Sequence, residues 1–512
     1  MIQPRFSFLL FLSFLLVFSS CATTRQAPSV EPVTLTILHL NDVYEISPLE
    51  GGQAGGLARV ATLKQQLLRE DPNTIALLSG DFLSPSLIGN LKKEDGERIA
   101  GQQMVETLNA MGLDYATFGN HEFDLKTADL LQKRILQSNF EYTVCNAFRA
   151  DSSRVRPFVQ NDAGELVPPF LIRTFRNAQG QEVKVGILGV VLPFNQADYV
   201  HYEPVVVSFR ETVEELRPKV DVIVAMTHLN EADDLALAEE VPGVALFMGG
   251  HDHHHMSHYV GETVIAKADA NAKTAYVHRI TWYPSSGVSK VNSTLVPINP
   301  ALPDDPSTAA VVEKWQENVG RIMGDQGYSP GEILMDADPP LECQEVVVRR
   351  RQTNYGNLVL RAFEAAAPGA DVYLINSGSM RLDDNISGAV TQYDVLRTLP
   401  FGGGLVRMAL PGEVLKKVLD IGEGENRGEG GYLQRYRAEK EGEGWLINGQ
   451  PLKAGQRYAV VLPAFVAAGN EANLEFLKDY KQEQLGPLVV DGASVRNDVR
   501  DLTIAYMRFL GK

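Results

Sequence analysis

The sequence predicts an α/β protein, on the strength of two patterns. Five short apolar runs have the length and the Val, Ile, Leu and Ala content of buried strands. Segments with a helical pattern alternate with these runs, which is typical of a layered α/β domain. The five runs are Val33 to Leu40, Thr74 to Gly80, Asp114 to Gly119, Val220 to Thr227 and Val244 to Gly250.

The first residues have the pattern of a secretory signal. Arg5 precedes an apolar stretch that ends at Phe18, and two serines and Cys21 follow. The stretch is too short to predict a membrane span. Its Ser-Ser-Cys ending resembles a bacterial lipobox, in which the cysteine becomes the lipidated N-terminus, and plain secretion is the alternative. We therefore expect a signal peptide over 1–20, lipidation at Cys21, a tether over 21–32, and anchoring in the cell envelope that faces the periplasm or the exterior.

The remaining elements are predicted from apolar periodicity and from breaker residues. Helices are expected at Leu57 to Glu70, Gln102 to Met111 and Lys126 to Ser138. The stretch from Pro297 to Pro306 breaks the pattern, and an amphipathic run from Ser307 to Ile322 predicts a connecting helix.

A second alternating region follows this helix. It has strands near Val372 to Ile375 and Tyr458 to Leu462, and a helix that starts at Pro411, where proline suits the first turn. The predicted organisation is a first domain over 33–300, a linker with its helix over 301–330, and a second domain over 331–512.

Charge and cysteine content exclude some classes of function. The formal net charge of −17 disfavours non-specific binding of nucleic acid, so no nucleic-acid partner is expected. An anionic substrate would need locally placed cations. Cys145 and Cys343 fall in different predicted domains, and two unpaired buried thiols are favoured over a disulfide.

Each of the five apolar runs ends at a possible metal ligand. Because the carboxyl ends of strands in an α/β sheet gather at one edge, we expect these side chains to converge. Taken alone, each has an ordinary alternative as a helix cap or a hydrogen-bonded core residue. Oxygen and imidazole ligands suit Zn, Mn or Fe, and six candidates exceed what one four-coordinate ion takes, which favours two ions. The candidates are Asp42, Asp81, Asn120, His228, His251 and His253.

Other histidines have different expected roles. Within the run from Asn120 to Asp124, His121 is the candidate catalytic imidazole, and Asp124, three residues further on, would orient it. His254, His255 and His258 lack ligand spacing and are expected to be polar loop residues.

These segments resemble the metallophosphoesterase superfamily, and within it the 5'-nucleotidase branch. The second half resembles the substrate domain of that branch. The resemblance implies a four-layer α/β/β/α metallophosphoesterase domain followed by an α/β substrate-binding domain. The matching motifs are Asn41-Asp42, Gly55-Gly56-Leu57-Ala58-Arg59, Gly80-Asp81, Gly119-Asn120-His121-Glu122-Phe123-Asp124, Thr227-His228, Gly250-His251-Asp252-His253, Thr353-Asn354-Tyr355-Gly356-Asn357, Asn376-Ser377-Gly378-Ser379-Met380-Arg381 and Pro400-Phe401-Gly402-Gly403.

The resemblance also implies roles in the second domain. Arg349 and Arg381 would bind the anionic end of a nucleotide, since guanidinium groups suit phosphate. Phe401 and Phe465 would stack on the base, with core packing as their alternative. Hydrogen bonds to the nucleoside would come from Asn376 and Glu471.

The function implied is release of phosphate from nucleoside 5'-phosphates by a surface-anchored enzyme. A hydroxide held by two metal ions would attack phosphorus in line, while the ions and His121 stabilise the developing charge. Alternatives with the same metals are a cyclic-nucleotide or nucleotide-sugar hydrolase and a thiosulfonate hydrolase. A catalytically weak nucleotide-binding lipoprotein is the alternative from another class. The sequence leaves the oligomeric state open.

Some positions depart from the family pattern. Tyr44 stands where the family usually has histidine, so the first ion would lose an imidazole ligand, and a phenol with a reference pKa near 10 is a poor replacement. Ser377 and Ser379 replace glycines of the substrate loop, and Gly469-Asn470-Glu471 replaces Gly-Gly-Asp. The changes at Ser377 and Ser379 and in Gly469-Asn470-Glu471 bear on base and sugar specificity.

Overall fold

The structure is a computed structural model that describes residues 31–151, 154–194, 197–486 and 488–512. The predicted signal peptide, Cys21 and nearly all of the predicted tether lie outside these residues. Within the described ranges, no helix combines the length and the apolar character that crossing a bilayer requires.

The described residues of the first domain form fifteen strands and six α-helices, and a long α-helix follows them. The strands are β1 (Val33–Leu40), β2 (Thr74–Ser79), β3 (Tyr115–Thr117), β4 (Glu141–Tyr142), β5 (Ala147–Asp151), β6 (Arg154–Arg156), β7 (Phe170–Arg176), β8 (Glu182–Val191), β9 (Val200–Tyr202), β10 (Val222–His228), β11 (Leu246–Gly249), β12 (Met256–Val260), β13 (Thr263–Lys267), β14 (Thr274–Tyr283) and β15 (Val288–Pro297). The helices are α1 (Leu57–Glu70), α2 (Leu87–Asn90), α3 (Gln102–Met111), α4 (Ala128–Gln137), α5 (Val205–Leu216), α6 (Glu231–Glu240) and the following α7 (Pro306–Asp325).

Two six-stranded sheets form the centre of this domain. Their strand orders are β15-β14-β1-β2-β3-β4 and β12-β13-β11-β10-β8-β7. The strands β1, β2, β3 and β4 run parallel, as do β8, β10, β11 and β13. Antiparallel strands close the other three edges, with β14 and β15 in the first sheet and β12 and β7 in the second.

The sheets pack face to face, with helices on both outer faces. Val33, Leu35 and Ile37 of β1 share a buried cluster with Val224 and Met226 of β10. The alternate β1 residues Leu38 and Leu40 pack instead in a cluster with residues of α1 and α3, while α5 and α6 cover β8 and β10. Because β1 is buried on both faces, apolar residues occupy positions of both parities and make up five of its eight residues. The expected α/β/β/α layering is confirmed.

The second domain is built on a five-stranded sheet of order β20-β17-β24-β19-β25. Helix α9 packs on one face of this sheet and α11 on the other. Its strands are β16 (Ile333–Leu341), β17 (Val372–Asn376), β18 (Ile386–Thr391), β19 (Leu405–Pro411), β20 (Leu433–Tyr436), β21 (Ala438–Glu441), β22 (Gly444–Ile447), β23 (Gln450–Pro451), β24 (Arg457–Pro463), β25 (Gln482–Gln484), β26 (Leu488–Val490) and β27 (Ala493–Val495). Its helices are α8 (Glu345–Val348), α9 (Asn354–Ala366), α10 (Gln392–Thr398), α11 (Gly412–Glu423), α12 (Ala464–Ala467) and α13 (Val499–Leu510).

Most predicted elements agree with the structure, and the differences lie at their ends. Helices α1 and α3 have the predicted bounds, whereas α4 is shorter because Thr127 caps it by accepting the backbone N–H of Leu130. The helix predicted to start at Pro411 starts at Gly412, with Pro411 as its N-cap. Cys145 and Cys343 are both buried and free, which confirms the prediction of two unpaired thiols.

A candidate metal centre between the two domains

The candidate ligands lie where strands of both sheets end. Asp42 and Asp81 each come two residues after the end of a parallel strand of the first sheet, and Asn120 follows β3. His228 is the last residue of β10, and His251 follows β11 by two residues. The two sheets therefore meet at one edge, with their ligand candidates side by side.

The structure brings all six candidates together. His228 Nε2 lies 3.2 Å from Asp81 Oδ2 and 3.2 Å from Asn120 Oδ1. The same Asn120 oxygen lies 3.2 Å from His251 Nδ1, and His253 Nε2 lies 3.4 Å from Asp42 Oδ1. Ligand atoms of Asp42, Asp81 and His228 all fall within 4.8 Å of one another.

The backbone of this centre is strained. Asp42, Asp81, His251 and His253 have φ angles of 52°, 58°, 83° and 61°, in the left-handed region that non-glycine residues seldom adopt. Such conformations concentrate at functional sites, where the surroundings enforce them. Close packing also restricts the residue type at position 119. Any side chain there would clash, because a Cβ atom on Gly119 would lie 2.1 Å from Asp81 Oδ1.

Hydrogen bonds fix the donor atoms that face the centre. His228 Nδ1 lies 2.8 Å from the Ser79 carbonyl, to which it donates, so Nε2 is the nitrogen that faces Asp81. Asp42 Oδ2 accepts from Asn41 Nδ2 at 2.8 Å and from the His251 backbone N–H at 2.9 Å. This arrangement leaves Asp42 Oδ1 directed into the cluster.

The residues fit a divalent cation. Asp42 Oδ1 is buried and accepts no hydrogen bond from any residue that the structure describes. Burial alone would lower the pKa of His228, but the Asp81 and Asp42 carboxylates outweigh it and raise that pKa to about 9. A buried pocket of negative charge with oxygen and imidazole donors is what Zn, Mn or Fe requires.

The His121 and Asp124 pair lies beside this centre. His121 Nδ1 is 2.7 Å from Asp124 Oδ2, and the His121 backbone N–H donates to Asp81 Oδ1 at 2.8 Å. Burial opposes the charged imidazole, but Asp81 and Asp124 outweigh it, so the pKa of His121 is raised. Nδ1 is held by Asp124, which leaves Nε2 as the other nitrogen of a ring that lines the cavity.

Tyr44 lies between two of the candidate ligands, Asp81 and His253. Its hydroxyl lies 3.1 Å from Asp81 Oδ2 and 3.1 Å from His253 Nε2. Burial, together with the Asp81 and Asp42 charges, raises the pKa of Tyr44 well above 10. The phenol is therefore held in its neutral form, as a hydrogen-bond donor.

Glu122 lies within the motif from Gly119 to Asp124 and had no predicted role of its own. Its buried carboxylate accepts four backbone N–H groups, from Asp81, Phe82, Leu83 and Gly119, at 2.6–2.9 Å. Burial raises the pKa of Glu122 to about 7. Glu122 therefore holds the turn that presents Asp81. Its position as an acidic residue inside a motif of metal-ligand candidates is the sequence feature that could have identified this role.

A buried lysine supports the loop that carries His251 and His253. Lys267 Nζ lies 2.5 Å from Asp252 Oδ2 and 2.8 Å from Asp234 Oδ2, and it donates to the Leu229 carbonyl at 2.7 Å. Removing Lys267 would leave the buried Asp234 carboxylate and the partly buried Asp252 carboxylate without their cation. The sequence analysis missed this residue, since its partners lie far away along the chain.

The remaining histidines of this segment point away from the centre. His254 Nδ1 contacts the Asp252 carbonyl at 2.7 Å, and His255 Nδ1 lies 3.0 Å from Asp269. His258, which was expected in a loop, lies in strand β12 and pairs with Glu231 at 2.8 Å.

The second domain covers the metal centre and shares a cavity of about 550 Å³ with it. Asp81, Asn120 and His121 line this cavity from the first domain, and Arg349 and Arg381 line it from the second. Glu345 forms ion pairs with both arginines, and its Oε1 lies 3.5 Å from Arg381 Nη1. The predicted phosphate contacts thus face the predicted ligands.

The two aromatic candidates lie at the surface of the second domain. Phe401 and Phe465 are 57% and 51% exposed, so neither packs in the core. The Arg381 guanidinium lies 5.8 Å from the centre of the Phe401 ring. Asn376 Nδ2 donates to Glu471 Oε2 at 2.6 Å, so these two candidates form one polar cluster.

Comparisons with known proteins agree with this geometry. Residues 35–255 match the family model for calcineurin-like phosphoesterases, and residues 335–479 match that for the 5'-nucleotidase C-terminal domain. The 5'-nucleotidase of Bos taurus is 25% identical over 89% of this chain and 86% of its own length.

Solved structures share the fold. A 5'-nucleotidase precursor from Thermus thermophilus superposes with a TM-score of 0.70 at 23% identity, over 93% of this chain and 97% of that one. The sulfate thiohydrolase SoxB of Thermus thermophilus superposes with a TM-score of 0.64 at 16% identity, over 93% and 94% of the two chains.

Proposed function

Since this chain belongs to the 5'-nucleotidase family of calcineurin-like, metal-dependent phosphoester hydrolases, we propose that it releases phosphate from nucleoside 5'-phosphates. One observation carries the proposal. A single cavity is lined on one side by the candidate metal ligands and on the other by two arginines of the second domain.

Two divalent ions are proposed for the centre. Asp42 and His253 would hold one, and Asn120, His228 and His251 would hold the other. Asp81, whose ligand atom lies within 4.8 Å of those of Asp42 and His228, would be shared. Ions held there would lower the pKa of a water molecule and offset negative charge on the phosphoryl group. The ligand chemistry is compatible with Zn, Mn or Fe.

The proposed role of His121 follows from its orientation. Asp124 at 2.7 Å fixes the imidazole, so that Nε2 can donate to the phosphate or to the leaving oxygen as negative charge develops. The raised pKa of His121 keeps this proton available, although burial works against it.

Arg349 and Arg381 are proposed to hold the phosphate group. Arg349 Nε is buried and lacks a hydrogen-bond partner within the described part of the chain, so a donor is available for an anion. Burial, together with the neighbouring Arg381, lowers the pKa of Arg349 to about 10, which leaves it charged at neutral pH. Substrate oxygens would take over the guanidinium contacts that Glu345 now makes.

Phe401 and Phe465 are proposed to hold the base between them. Phe401 precedes β19 and Phe465 follows β24, and these strands pair with Leu405 opposite Pro463. The Ala464 backbone N–H also donates to the Gly404 carbonyl at 2.9 Å, which fixes the two segments next to each other. Asn376 and Glu471 would then hydrogen-bond the nucleoside.

We also propose that the protein is anchored in the cell envelope through a lipid on Cys21. The support is the signal-like sequence that ends in Ser19-Ser20-Cys21, ahead of strand β1. Metabolic labelling with a fatty acid tests it, since label on wild type but not on a Cys21→Ala variant is expected.

The proposed activity is tested by a phosphate-release panel on the metal-loaded chain. Nucleoside 5'-monophosphates are expected to be hydrolysed, and a chelator is expected to abolish turnover until Mn²⁺ or Zn²⁺ is restored. Faster turnover of cyclic nucleotides, nucleotide sugars or a thiosulfonate would replace the proposed substrate by that class. Tight nucleotide binding without any turnover would favour a binding protein.

Replacing Phe401 by alanine is expected to raise the KM for a nucleotide about two- to tenfold. The reason is the loss of ring stacking worth about 0.5–1.5 kcal/mol. Hydrolysis of a small aryl phosphate, which does not reach both rings, is expected to change less. Phe509→Ala is the matched control, because Phe509 is an exposed phenylalanine of the same domain, on α13. Equal losses on both substrates would instead indicate a packing role for Phe401.

A further inference from the structure

We propose that Asp383 of the second domain is a positioning residue for the metal centre, because its carboxylate fixes the orientation and tautomer of His253. On this view, the part of the centre that contains Asp42 and His253 is complete only while the second domain is docked on the first. The inference rests on the proposed function, since it takes His253 to be a metal ligand.

Three contacts of Asp383 cross the domain boundary. Its Oδ1 lies 2.9 Å from His253 Nδ1, and its Oδ2 accepts from Asn271 Nδ2 at 3.3 Å. Its backbone carbonyl accepts from Lys273 Nζ at 2.6 Å. The side chain is nearly buried, with 11% of its surface exposed. Three contacts from one residue to the first domain define its place, so Asp383 is fixed relative to the imidazole.

The hydrogen bond to Asp383 determines which nitrogen of His253 faces the centre. When Nδ1 donates to the carboxylate, Nε2 keeps its lone pair, and Nε2 lies 3.4 Å from Asp42 Oδ1. A carboxylate behind an imidazole ligand both fixes the ring and makes it a better donor to the metal. Asp383 therefore has the position that such a supporting carboxylate takes.

The corresponding support for His228 comes from its own domain. There the Ser79 carbonyl accepts from Nδ1 at 2.8 Å. His228 is therefore oriented wherever the second domain lies. The orientation of His253 depends on a carboxylate of the second domain. The two imidazoles therefore differ, because only that of His253 needs the second domain to be docked.

The same short segment of the second domain carries the predicted phosphate contact. Arg381 lines the shared cavity, and Asp383 is two residues further along the chain. The position of the segment thus affects substrate and metal ligand together. Bringing the arginine to the cavity also brings the carboxylate to His253.

Tyr44 increases the dependence of the centre on His253. The Tyr44 hydroxyl lies 3.1 Å from both Asp81 Oδ2 and His253 Nε2. With a phenol in place of an imidazole at this position, the Asp42 side of the centre relies on one imidazole, and support for that imidazole has more effect.

The test measures Mn²⁺ binding to the full-length, metal-free chain by titration calorimetry and by elemental analysis. In Asp383→Ala, one of two Mn²⁺ equivalents is expected to bind about 10–100-fold more weakly. Asp383→Asn is expected to lose less affinity, since an amide oxygen still accepts the Nδ1–H. Asp336→Ala, which removes an exposed carboxylate on β16, serves as the matched control and is expected to bind as wild type does.

A second comparison separates support of His253 from a general effect on domain docking. In a His253→Ala background, adding Asp383→Ala is expected to change Mn²⁺ affinity by less than twofold, because the residue acted upon is already absent. A further tenfold loss in that background would overturn the proposal, as would affinities of both Asp383 variants within twofold of wild type. Those results would leave the proposed function intact, whereas a wild-type chain that binds no divalent ion would overturn both.

Discussion

Replacing Asp81 by asparagine is expected to lower the turnover of nucleoside 5'-monophosphates by about a thousandfold or more. Asp81 is the proposed shared ligand, and its loss removes a charge from both ion positions. Metal ions at such sites contribute several kcal/mol to stabilising the transition state, and about 1.4 kcal/mol corresponds to a factor of ten. Elemental analysis of the dialysed variant is expected to find less metal than in wild type.

The substitution isolates the charge of Asp81 from its backbone conformation. Asp81 has a φ of 58°, and asparagine tolerates the left-handed region as aspartate does. Asp491→Asn is the matched control, since Asp491 has a φ of 48° in an exposed turn of the second domain. An Asp81→Asn chain that keeps its metal and works within tenfold of wild type would exclude Asp81 from the centre.

Replacing His121 by alanine is expected to lower turnover about 10²- to 10⁴-fold, the range for loss of a positioned proton donor or acceptor. Its imidazole is held by Asp124, and His121 lines the cavity, but it is not among the proposed ligands. Metal content is therefore expected to stay near that of wild type. Phosphate release and elemental analysis on the same samples measure both quantities.

His201→Ala provides the control for His121. His201 is an exposed histidine of the same domain that also contacts a carboxylate, Glu203, at 3.0 Å. Its replacement is expected to leave turnover unchanged. If His121→Ala retained wild-type turnover, or lost metal in proportion to activity, the proposed role of His121 would be wrong.

Much of the fold and of the ligand set could be predicted because the signals are local. A strand buried on both faces is rich in apolar residues, so β1 and β10 are visible in the sequence. The residues that follow parallel strands share one sheet edge, so Asp42 and Asp81 could be paired without knowing the tertiary structure. Helix ends were less predictable, since several neighbouring residues can serve as the N-cap, as Thr127 does for α4.

The supporting residues could not be predicted, because their partners are distant in the chain. Asp383 contacts His253 across 130 residues and a domain boundary, and neither residue has a pattern that identifies the other. Lys267, the last residue of β13, contacts Asp234 of α6 and Asp252 only once these segments have packed together. Such pairings depend on how elements dock, which local periodicity does not encode.

The two unpaired cysteines give each domain a built-in reporter of its own opening. Burial raises the pKa of Cys145 to about 12, and it raises that of Cys343 well above the usual range, so almost no thiolate is present at neutral pH. Alkylating reagents attack the thiolate form, and only where they can reach it. The rate at which each sulfur is labelled would therefore record when its surroundings come apart, and comparing the two rates would reveal which half of the molecule loosens first.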